Sequence, residues 1–368
     1  MTQSRLDKLI ASLRTSGLSA VALNPGPTLT YLTGVAFHLM ERPVVLLVAQ
    51  DKDPVLVLPE LELPKVDMFP YKIQAFAYGE NPSEWDDAFR KAAQSLGLDG
   101  KRIGVEPRQM RLLEFRHVKA GAPEAEYPDA SDVLTGLRLR KDKAEVDAMR
   151  KAVKIAQDAL EAVIPQIKIG MTERELSSEL VMQLLKHGSD SEFPFPPIIS
   201  SGPNSANPHA SPSERKLQAG DLLVVDWGAA YGGYISDLTR TFAVGEVDDE
   251  CQKIHRVVQE ANAAGRAAGK PGAPCADVDK AARAVIESAG YGKYFTHRTG
   301  HGIGMEAHED PYMRGDNMQL LEPGMAYTVE PGIYLTNRNG VRIEDNIVIT
   351  ETGNDCLSDM PREIRVVG

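Results

Sequence analysis

The stretch Val224-Val225-Asp226-Trp227-Gly228, followed by Tyr234-Ile235-Ser236-Asp237-Leu238-Thr239-Arg240, decides the fold, because it places two aspartates within two strand-like runs. Valine and isoleucine favour strands, and glycines mark a turn between the runs, so the segment predicts a β-hairpin. Alternation puts Asp226 on the same strand face as Leu222 and Val224, a face that should be buried. A carboxylate there is costly unless it meets a positive charge, so we expect a cationic partner.

The chain has 368 residues, and a prior of about 150 residues per domain predicts two domains. Strand-like and helix-like runs are mixed up to a polar junction at 135–141, which predicts an α/β domain over residues 1–135. The second domain, residues 136–368, is predicted to be α+β. Capping-box pairs predict the starts of its first two helices: Asp142 with Glu145, and Thr172 with Glu175. Later helices are predicted at 250–268 and 276–289, and strands at 198–200, 295–306, 325–334 and 341–349.

Charge and composition exclude some classes of partner. The formal net charge is −11, which argues against nucleic acid or an anionic membrane as the main partner. No basic segment followed by an apolar run opens the chain, and no apolar run reaches about 18 residues, so we expect a cytoplasmic protein. The three cysteines form no C-x-x-C pair, which fits reduced thiols better than disulfides or a thiolate zinc site.

The second domain contains five candidate metal ligands. A second hairpin with two glutamates echoes the hairpin with two aspartates, and a histidine lies between them in a glycine-rich run. Four converging carboxylates would repel one another, whereas two divalent cations would remove the repulsion. Oxygen ligands with one imidazole suit Mn²⁺, Co²⁺ or Zn²⁺, of which we expect Mn²⁺, and such a pair can activate a water for attack on a carbonyl. The five residues are Asp226, Asp237, His301, Glu330 and Glu344.

The second domain contains a series of short motifs around these residues. They are, in chain order, Asp226, Ser236-Asp237-Leu238-Thr239-Arg240, Gly300-His301-Gly302-Ile303-Gly304, Glu306-Ala307-His308-Glu309, Glu330-Pro331-Gly332-Ile333-Tyr334 and Gly340-Val341-Arg342-Ile343-Glu344-Asp345. Taken together, these motifs strongly resemble those of the M24 metallopeptidases. The resemblance covers about residues 140–368, and over residues 1–135 it rests only on size, position and α/β character. It implies a pita-bread catalytic domain, a curved antiparallel sheet flanked by helices, that follows a smaller creatinase-like α/β domain in the chain.

The resemblance also implies roles for the five candidate ligands. Asp226 and Asp237 would hold one metal ion, Asp237, His301 and Glu330 would connect to the other, and Glu344 would bridge. All five positions are filled, whereas creatinase and the non-catalytic members of the family have lost ligands. Catalysis is therefore expected, with Glu330 relaying a proton to the leaving nitrogen.

Five further residues match positions that the family uses around the substrate. His209 resembles the histidine that contacts the substrate near the scissile bond, and His308 the histidine that assists at the leaving group or the tetrahedral intermediate. Arg342 lies two residues before Glu344, so the strand period places both side chains on one face, where Arg342 could pair with carboxylates or substrate. His297 and Tyr334 also lie at motif positions, where a packed supporting role is at least as expected as substrate binding.

The expected activity is hydrolysis of Xaa-Pro bonds at the N-terminal end of dipeptides or short peptides. The chain is short for the long type of aminopeptidase P, which favours a prolidase, while an aminopeptidase P acting on Xaa-Pro-Yaa peptides stays an alternative. Two functions of a different kind stay open as well: a non-catalytic peptide-binding module on the same fold and a metal-independent creatinase-like hydrolase. The resemblance also implies a homodimer.

Overall fold

The computed structural model describes residues 2–368, which divide into two compact units. The first ends at Arg138 and the second begins at Leu139. Residue 135, the predicted boundary, lies within a helix that spans Ser131–Arg138. That 1–135 and 136–368 are separate domains stays a prediction. Across residues 2–368, no helix has both the length and the apolarity needed to cross a membrane.

The first unit contains a mixed sheet and five helices within its described residues. Its elements are α1 (Thr2–Ser16), β1 (Ala20–Leu23), α2 (Pro27–Thr33), β2 (Val45–Ala49), β3 (Val55–Pro59), β4 (Gln74–Tyr78), α3 (Trp85–Leu96), β5 (Ile103–Val105), α4 (Leu112–Gly121) and α5 (Ser131–Arg138), with a 3-10 helix at Glu60–Met68. The five strands follow the order β4-β3-β2-β1-β5, in which β1 pairs with β2 and β2 with β3 antiparallel, while β1–β5 and β3–β4 are parallel.

Helix α3 shows how sequence periodicity builds the core of this unit. Trp85, Phe89 and Ala92 recur at helical spacing, and all three are buried with β-strand residues such as Val57. The helix ends at Gly97, whose φ of 67° is the left-handed conformation that glycine adopts without steric cost.

The second unit places helices against antiparallel sheets. Both predicted capping boxes are present: Asp142 and Glu145 bond reciprocally at the start of its first helix, as do Thr172 and Glu175 at the start of its second. The helices are α6 (Lys143–Val163), α7 (Glu173–Lys186), α8 (Asp249–Ala268) and α9 (Cys275–Ser288). The strands are β6 (Ile198–Ser201), β7 (Leu222–Trp227), β8 (Ala230–Tyr231), β9 (Tyr234–Ile235), β10 (Leu238–Val244), β11 (Gly300–Gly302), β12 (Glu309–Met313), β13 (Ala326–Val329), β14 (Gly332–Tyr334), β15 (Gly340–Arg342), β16 (Asp345–Ile349), β17 (Asn354–Cys356) and β18 (Arg365–Val367).

Two larger sheets carry the predicted hairpins. The first has the order β18-β10-β7-β6, and β7 and β10 form the predicted antiparallel pair, with Thr239 opposite Asp226. The second has the order β12-β11-β13-β16-β17. The sheets meet where the backbone N–H of Glu344 donates to the carbonyl of Thr239, at 3.0 Å. One pair in the first sheet, β10 with β18, is parallel.

The two faces of strand β7 pack against different parts of the unit, as the alternation of side chains along a strand predicts. Val225 and Trp227 pack with the apolar face of α6, and the indole N–H of Trp227 donates to the carbonyl of Ala156 at 2.8 Å. Leu222 faces a second core formed with α8 and α9. All six residues of β7 are buried, so Asp226 lies in a strand that is covered on both faces.

Three predicted strands are shorter than expected. The run 325–334 is divided into β13 and β14, because the N–H of Glu330 leaves the ladder to donate to the carbonyl of Thr299 and Pro331 has no N–H. The run 341–349 is divided at Glu344, whose N–H bonds to Thr239. Only residues 300–302 of the run 295–306 form a strand, with a register shift after His301. Each interruption lies at or beside a candidate ligand.

Candidate metal centre

The ends and edges of several strands bring the five candidate ligands together. Asp226 lies in β7, Asp237 just before β10, His301 in β11, Glu330 directly after β13 and Glu344 between β15 and β16. Ligand atoms of Asp237, His301 and Glu344 lie within 4.8 Å of one another. The Nε2 atom of His301 is 3.7 Å from Asp237 Oδ2 and 3.4 Å from Glu330 Oε1. The predicted residues therefore form one cluster.

His301 presents an acceptor to these carboxylates. Its Nδ1 lies 3.1 Å from the carbonyl oxygen of Gly302, which can only accept, so Nδ1 carries the proton. Burial holds the pKa of His301 well below its ordinary value, so the ring is neutral and Nε2 has a free lone pair. Nε2 therefore faces the oxygens of Asp237 and Glu330 as an acceptor, and a cation would satisfy all three groups.

Two buried oxygens in the cluster have no hydrogen-bond partner. They are Oδ1 of Asp226 and Oε1 of Glu344. Their sister atoms are bonded, since Asp226 Oδ2 accepts from Arg342 and Glu344 Oε2 accepts from Thr239 at 2.8 Å. An unpartnered buried carboxylate oxygen is costly, and a metal ion is one of the few partners that could satisfy it here.

The electrostatics of the cluster also favour a cation. Burial, reinforced by the neighbouring carboxylates, raises the pKa of Asp237 and Glu344 well above their ordinary values. Burial likewise raises the pKa of Glu330 to about 8, although Arg342 opposes the shift. The pKa of Asp226 is raised by burial, against the opposing charge of Arg342. One guanidinium therefore does not compensate four carboxylates, and without further positive charge the cluster would hold protons at neutral pH.

Arg342 lies at the edge of the cluster and orders several of its members. Its Nη2 donates to Asp226 Oδ2 at 2.5 Å, its Nε donates to Thr239 Oγ1 at 3.2 Å, and its Nη1 donates to the hydroxyl of Tyr334 at 2.9 Å. Thr239 in turn donates to Glu344. Arg342 thus connects two candidate ligands on opposite hairpins, and the cationic partner expected for Asp226 is in part this guanidinium.

His297 and Tyr334 form a chain that ends on Arg342. The Tyr334 oxygen accepts from Arg342, so its hydroxyl proton is free for His297 Nε2, which lies 2.9 Å away. His297 Nδ1 lies 2.7 Å from the carbonyl oxygen of Arg298 and carries the ring proton. Burial lowers the pKa of His297 to about 4, in agreement with a neutral ring. The contacts of this pair favour the supporting role.

His308 and His209 are both exposed and lie beside the buried cluster. The rings of His308 and His301 are 4.0 Å apart between centroids, with their planes tilted by 47°. His209 is placed beside the cluster by its neighbour Pro208, whose carbonyl oxygen accepts from Arg342 Nη1 at 3.3 Å. All five candidate ligands and all five surrounding residues are thus in one region, although their roles stay predictions.

Two glycines allow β11 to approach its neighbours closely enough to place His301. A Cβ atom on Gly300 would lie 1.8 Å from the carbonyl oxygen of Thr328, and one on Gly302 would lie 2.2 Å from the carbonyl oxygen of Asp310. No side chain fits in either place. The His301 N–H also donates to Thr328 Oγ1 at 3.2 Å. The glycines therefore serve backbone packing around His301.

Several residues that hold the ligands in place were not predicted. Asn346 fixes the backbone of Asp237, since its Oδ1 accepts from the Asp237 N–H at 3.1 Å and its Nδ2 donates to the Asp237 carbonyl at 2.6 Å. Asp345 is buried between Arg240 and Arg362, which lower its pKa against the effect of burial. Arg240 also donates to the carbonyl of Glu344 at 2.7 Å. Arg240 and Asp345 lie in the quoted motifs, so their position beside the ligands was the available signal.

Comparison with known proteins agrees with the geometry. The model of metallopeptidase family M24 matches residues 147–351, and that of the creatinase/prolidase N-terminal domain matches residues 5–140. A probable dipeptidase PepE of Mycobacterium tuberculosis is 36% identical over 370 residues, which cover 99% of this chain and 96% of the relative. An Xaa-Pro dipeptidase of Lactobacillus delbrueckii subsp. lactis is 33% identical, covering 98% of each chain.

A solved structure extends the match to three dimensions. The crystal structure of a recombinant prolidase from Thermococcus sibiricus superposes with a TM-score of 0.94 at 33% identity, covering 100% of this chain and 99% of that one. The predicted architecture, a pita-bread domain behind a creatinase-like domain, is thereby confirmed. The chain is a peptidase that belongs to metallopeptidase family M24, in the prolidase branch that carries a creatinase/prolidase N-terminal domain.

Proposed function

We propose that this peptidase is a dinuclear-metal Xaa-Pro dipeptidase. The observation that carries the proposal is the buried cluster of four carboxylates and one neutral imidazole, with two carboxylate oxygens that lack a partner. These groups offer more donor atoms than the six or so positions of one octahedral ion, which supports a pair of ions. The names of the similar proteins, Xaa-Pro dipeptidase and prolidase, support the substrate class.

In this proposal Asp226 and Asp237 would hold one ion, Asp237, His301 and Glu330 would hold the other, and Glu344 would contribute to both. Divalent cations supply Lewis-acid chemistry, since they acidify water and polarise a carbonyl. Mn²⁺ stays the predicted metal, with Co²⁺ and Zn²⁺ as alternatives. A cytoplasmic location and a homodimer also stay predictions.

The chain's own residues then supply positioning and proton transfer. Glu330 is the candidate for the proton relay, because its side chain is 16% exposed while that of His301 is 3% exposed. It would accept a proton from the water whose oxygen bonds to the carbonyl carbon, and deliver that proton to the proline nitrogen as the C–N bond breaks. In this proposal His209 or His308, both exposed, would donate to the developing oxyanion of the substrate. Arg342 keeps Asp226 in place throughout.

The proposed substrate class has a chemical reason to need a dedicated enzyme. The nitrogen of an Xaa-Pro bond carries no hydrogen, so a peptidase cannot use the N–H handle that other peptide bonds offer. Cleavage at the N-terminal end of a dipeptide is supported by the names of the similar proteins, Xaa-Pro dipeptidase and prolidase.

A substrate comparison tests the dipeptidase proposal. Purified enzyme loaded with Mn²⁺ is given Ala-Pro and Ala-Pro-Ala in parallel, with Ala-Ala as the control for proline dependence. We expect kcat/KM for Ala-Pro to exceed that for the tripeptide at least about 10-fold, because a dipeptidase must enclose the substrate carboxylate. Rapid cleavage of the tripeptide would instead assign an aminopeptidase P.

Metal removal separates a metallopeptidase from a metal-independent hydrolase. After dialysis against EDTA, we expect the hydrolysis of Ala-Pro to fall by at least about 10²-fold and to return when Mn²⁺ is added. Activity that is indifferent to the chelator would favour a creatinase-like hydrolase. Binding of Ala-Pro by calorimetry without any turnover, at full metal occupancy, would favour the peptide-binding module.

A further inference from the structure

The segment 201–213 carries His209 to the edge of the metal centre. It starts at the end of β6, makes a 3-10 turn over Gly202–Ala206, and reaches Pro208 and His209 in irregular backbone. His209 is exposed, and its backbone N–H donates to Asn207 Oδ1 at 3.1 Å. No ladder of a sheet fixes this part of the described chain, so other contacts must place the imidazole.

One carboxylate ties the two ends of the segment together. Glu173, the first residue of α7, is fully buried. Its Oε1 accepts from the N–H of Ser201 at 2.8 Å and from the Ser201 hydroxyl at 2.9 Å. Its Oε2 accepts from the N–H of Ser213 at 3.1 Å and from the Ser213 hydroxyl at 2.6 Å. The amide of Asn204 donates to both oxygens, at 3.2 and 3.0 Å.

The start of helix α7 reinforces this connection. The N–H of Glu173 donates to the carbonyl of Arg215 at 3.0 Å, and the N–H of Arg174 donates to the carbonyl of Ser213 at 3.1 Å. These are N–H groups that have no partner within the helix. The positive end of the helix also favours a carboxylate at its first position. Glu173 and the first turn of α7 therefore form a single anchor.

The inner side of the segment meets the residues that hold the candidate ligands. The N–H of Gly340 donates to the Ser205 hydroxyl at 2.7 Å, and Arg342 Nη1 lies 3.3 Å from the carbonyl oxygen of Pro208, to which it donates. Arg342 also binds Asp226. The segment is thus held between the α7 anchor and the strand β15 that carries Arg342.

We propose that Glu173 is a positioning residue for His209: it touches no reacting atom, but it fixes the segment that holds the imidazole over the metal centre. The proposal rests on the proposed function, in which His209 contacts the substrate. Both carboxylate oxygens of Glu173 are already occupied by donors from the segment, so its contacts are those of a structural clamp. A shift of about 1 Å in a catalytic group can cost about 10²-fold in rate.

A double-mutant cycle separates positioning from general stability. The variants are Glu173→Ala, His209→Ala and the double variant, each loaded with Mn²⁺ and assayed on Ala-Pro. We expect each single change to lower kcat/KM by about 10- to 10²-fold, and the double change to lower it no further than the larger single effect. If Glu173 acted through stability alone, the two losses would multiply, and that outcome would overturn the proposal.

A second readout does not depend on activity. In metal-free protein, hydrogen exchange at the amides of 201–213 should be at least about 10-fold faster in Glu173→Ala than in the parent, with the core strand β7 unchanged. Glu145→Gln is the matched control, since Glu145 is also a buried carboxylate in the first turn of a helix and accepts from Asp142 and Tyr234, outside the segment. It should lower the melting temperature while leaving exchange in 201–213 and kcat/KM near the parent values.

Two milder variants test the same proposal if Glu173→Ala does not fold. Glu173→Gln replaces one acceptor oxygen by a donor, and Ser213→Ala removes a single hydroxyl donor, so both should give smaller changes in the same direction. If His209→Ala keeps the parent kcat/KM, the proposed role of His209 fails whatever Glu173 does. If His209→Ala loses activity but the folded Glu173 variants keep parent activity and exchange, the positioning role alone is wrong.

Discussion

The Glu330→Gln enzyme is expected to hydrolyse Ala-Pro at least about 10³-fold more slowly than the parent. Glutamine keeps an oxygen in place but cannot accept and release a proton near neutral pH. Burial raises the pKa of Glu330 to about 8 in the metal-free protein, and bound cations would lower it, so that the side chain is a carboxylate that can accept a proton when the metal is bound. The loss should appear in kcat, with a small change in KM.

The interpretation of the activity of Glu330→Gln depends on how much metal the variant binds. Glu330 is also a candidate ligand, so each preparation needs its bound metal measured by mass spectrometry, with Glu351→Gln, a change at an exposed carboxylate, as the control. A Glu330→Gln enzyme that holds the parent amount of metal and is inactive supports the proton relay. Substantial remaining activity at full metal content would contradict it.

The metal-free protein is expected to lose stability as the pH rises from 6 to 9, on the order of a few kcal/mol. The carboxyl groups of Asp237, Glu330 and Glu344 have a raised pKa in the folded state, because burial and their neighbours disfavour the charged form. In the unfolded chain the same groups titrate near pH 4. At pH values between the pKa of these groups in the unfolded chain and their pKa in the folded state, the folded state binds more protons than the unfolded state.

The sign follows from this proton difference. Where the folded state binds more protons, raising the pH favours unfolding, so the stabilisation is complete below about pH 4 and is lost as the pH passes the folded pKa values. For Glu330 that loss extends to about pH 8. Bound divalent cations replace the protons, so the loaded protein should show little of this decline, and the gain in melting temperature on adding Mn²⁺ should grow with pH.

Thermal melts of metal-free and loaded protein at several pH values test this expectation. The Glu344→Gln variant is the control, since its amide is neutral at every pH and should flatten the decline of the metal-free protein. A metal-free parent whose melting temperature is constant between pH 6 and pH 9 would show that these carboxyl groups do not hold protons in the fold.

The sequence predicted those features of the fold that depend on interactions between residues close together in the chain. The capping boxes of Asp142 and Thr172 depend on residues three positions apart, and both are present. The strands that are shorter than predicted depend instead on contacts between residues far apart in the chain. Glu330 and Glu344 leave their ladders because their N–H groups bond to Thr299 and Thr239, which are distant in sequence. No periodicity within a short window contains those partners.

In the candidate site, too, the contacts between residues distant in sequence were the ones that the residue pattern did not predict. Pattern alone found that Asp226 needed a cationic partner, but the grouping with His301 came from the resemblance to a family. The partner proved to be in part Arg342, which lies 116 residues away in the chain. Glu173 was not singled out from the sequence, since its hydrogen-bond partners lie 28 to 40 residues further along.

The spacing of these contacts also bears on how the enzyme is made. Thr239 and Glu344, which bond at the centre, are 105 residues apart, and β10 is completed by pairing with Arg365–Val367. A chain emerging from the ribosome therefore has no metal centre until almost all of its second unit has been synthesised. Contacts so remote in sequence form slowly. Metal capture should consequently be a late step of maturation, and retained metal a sensitive report that a preparation has folded completely.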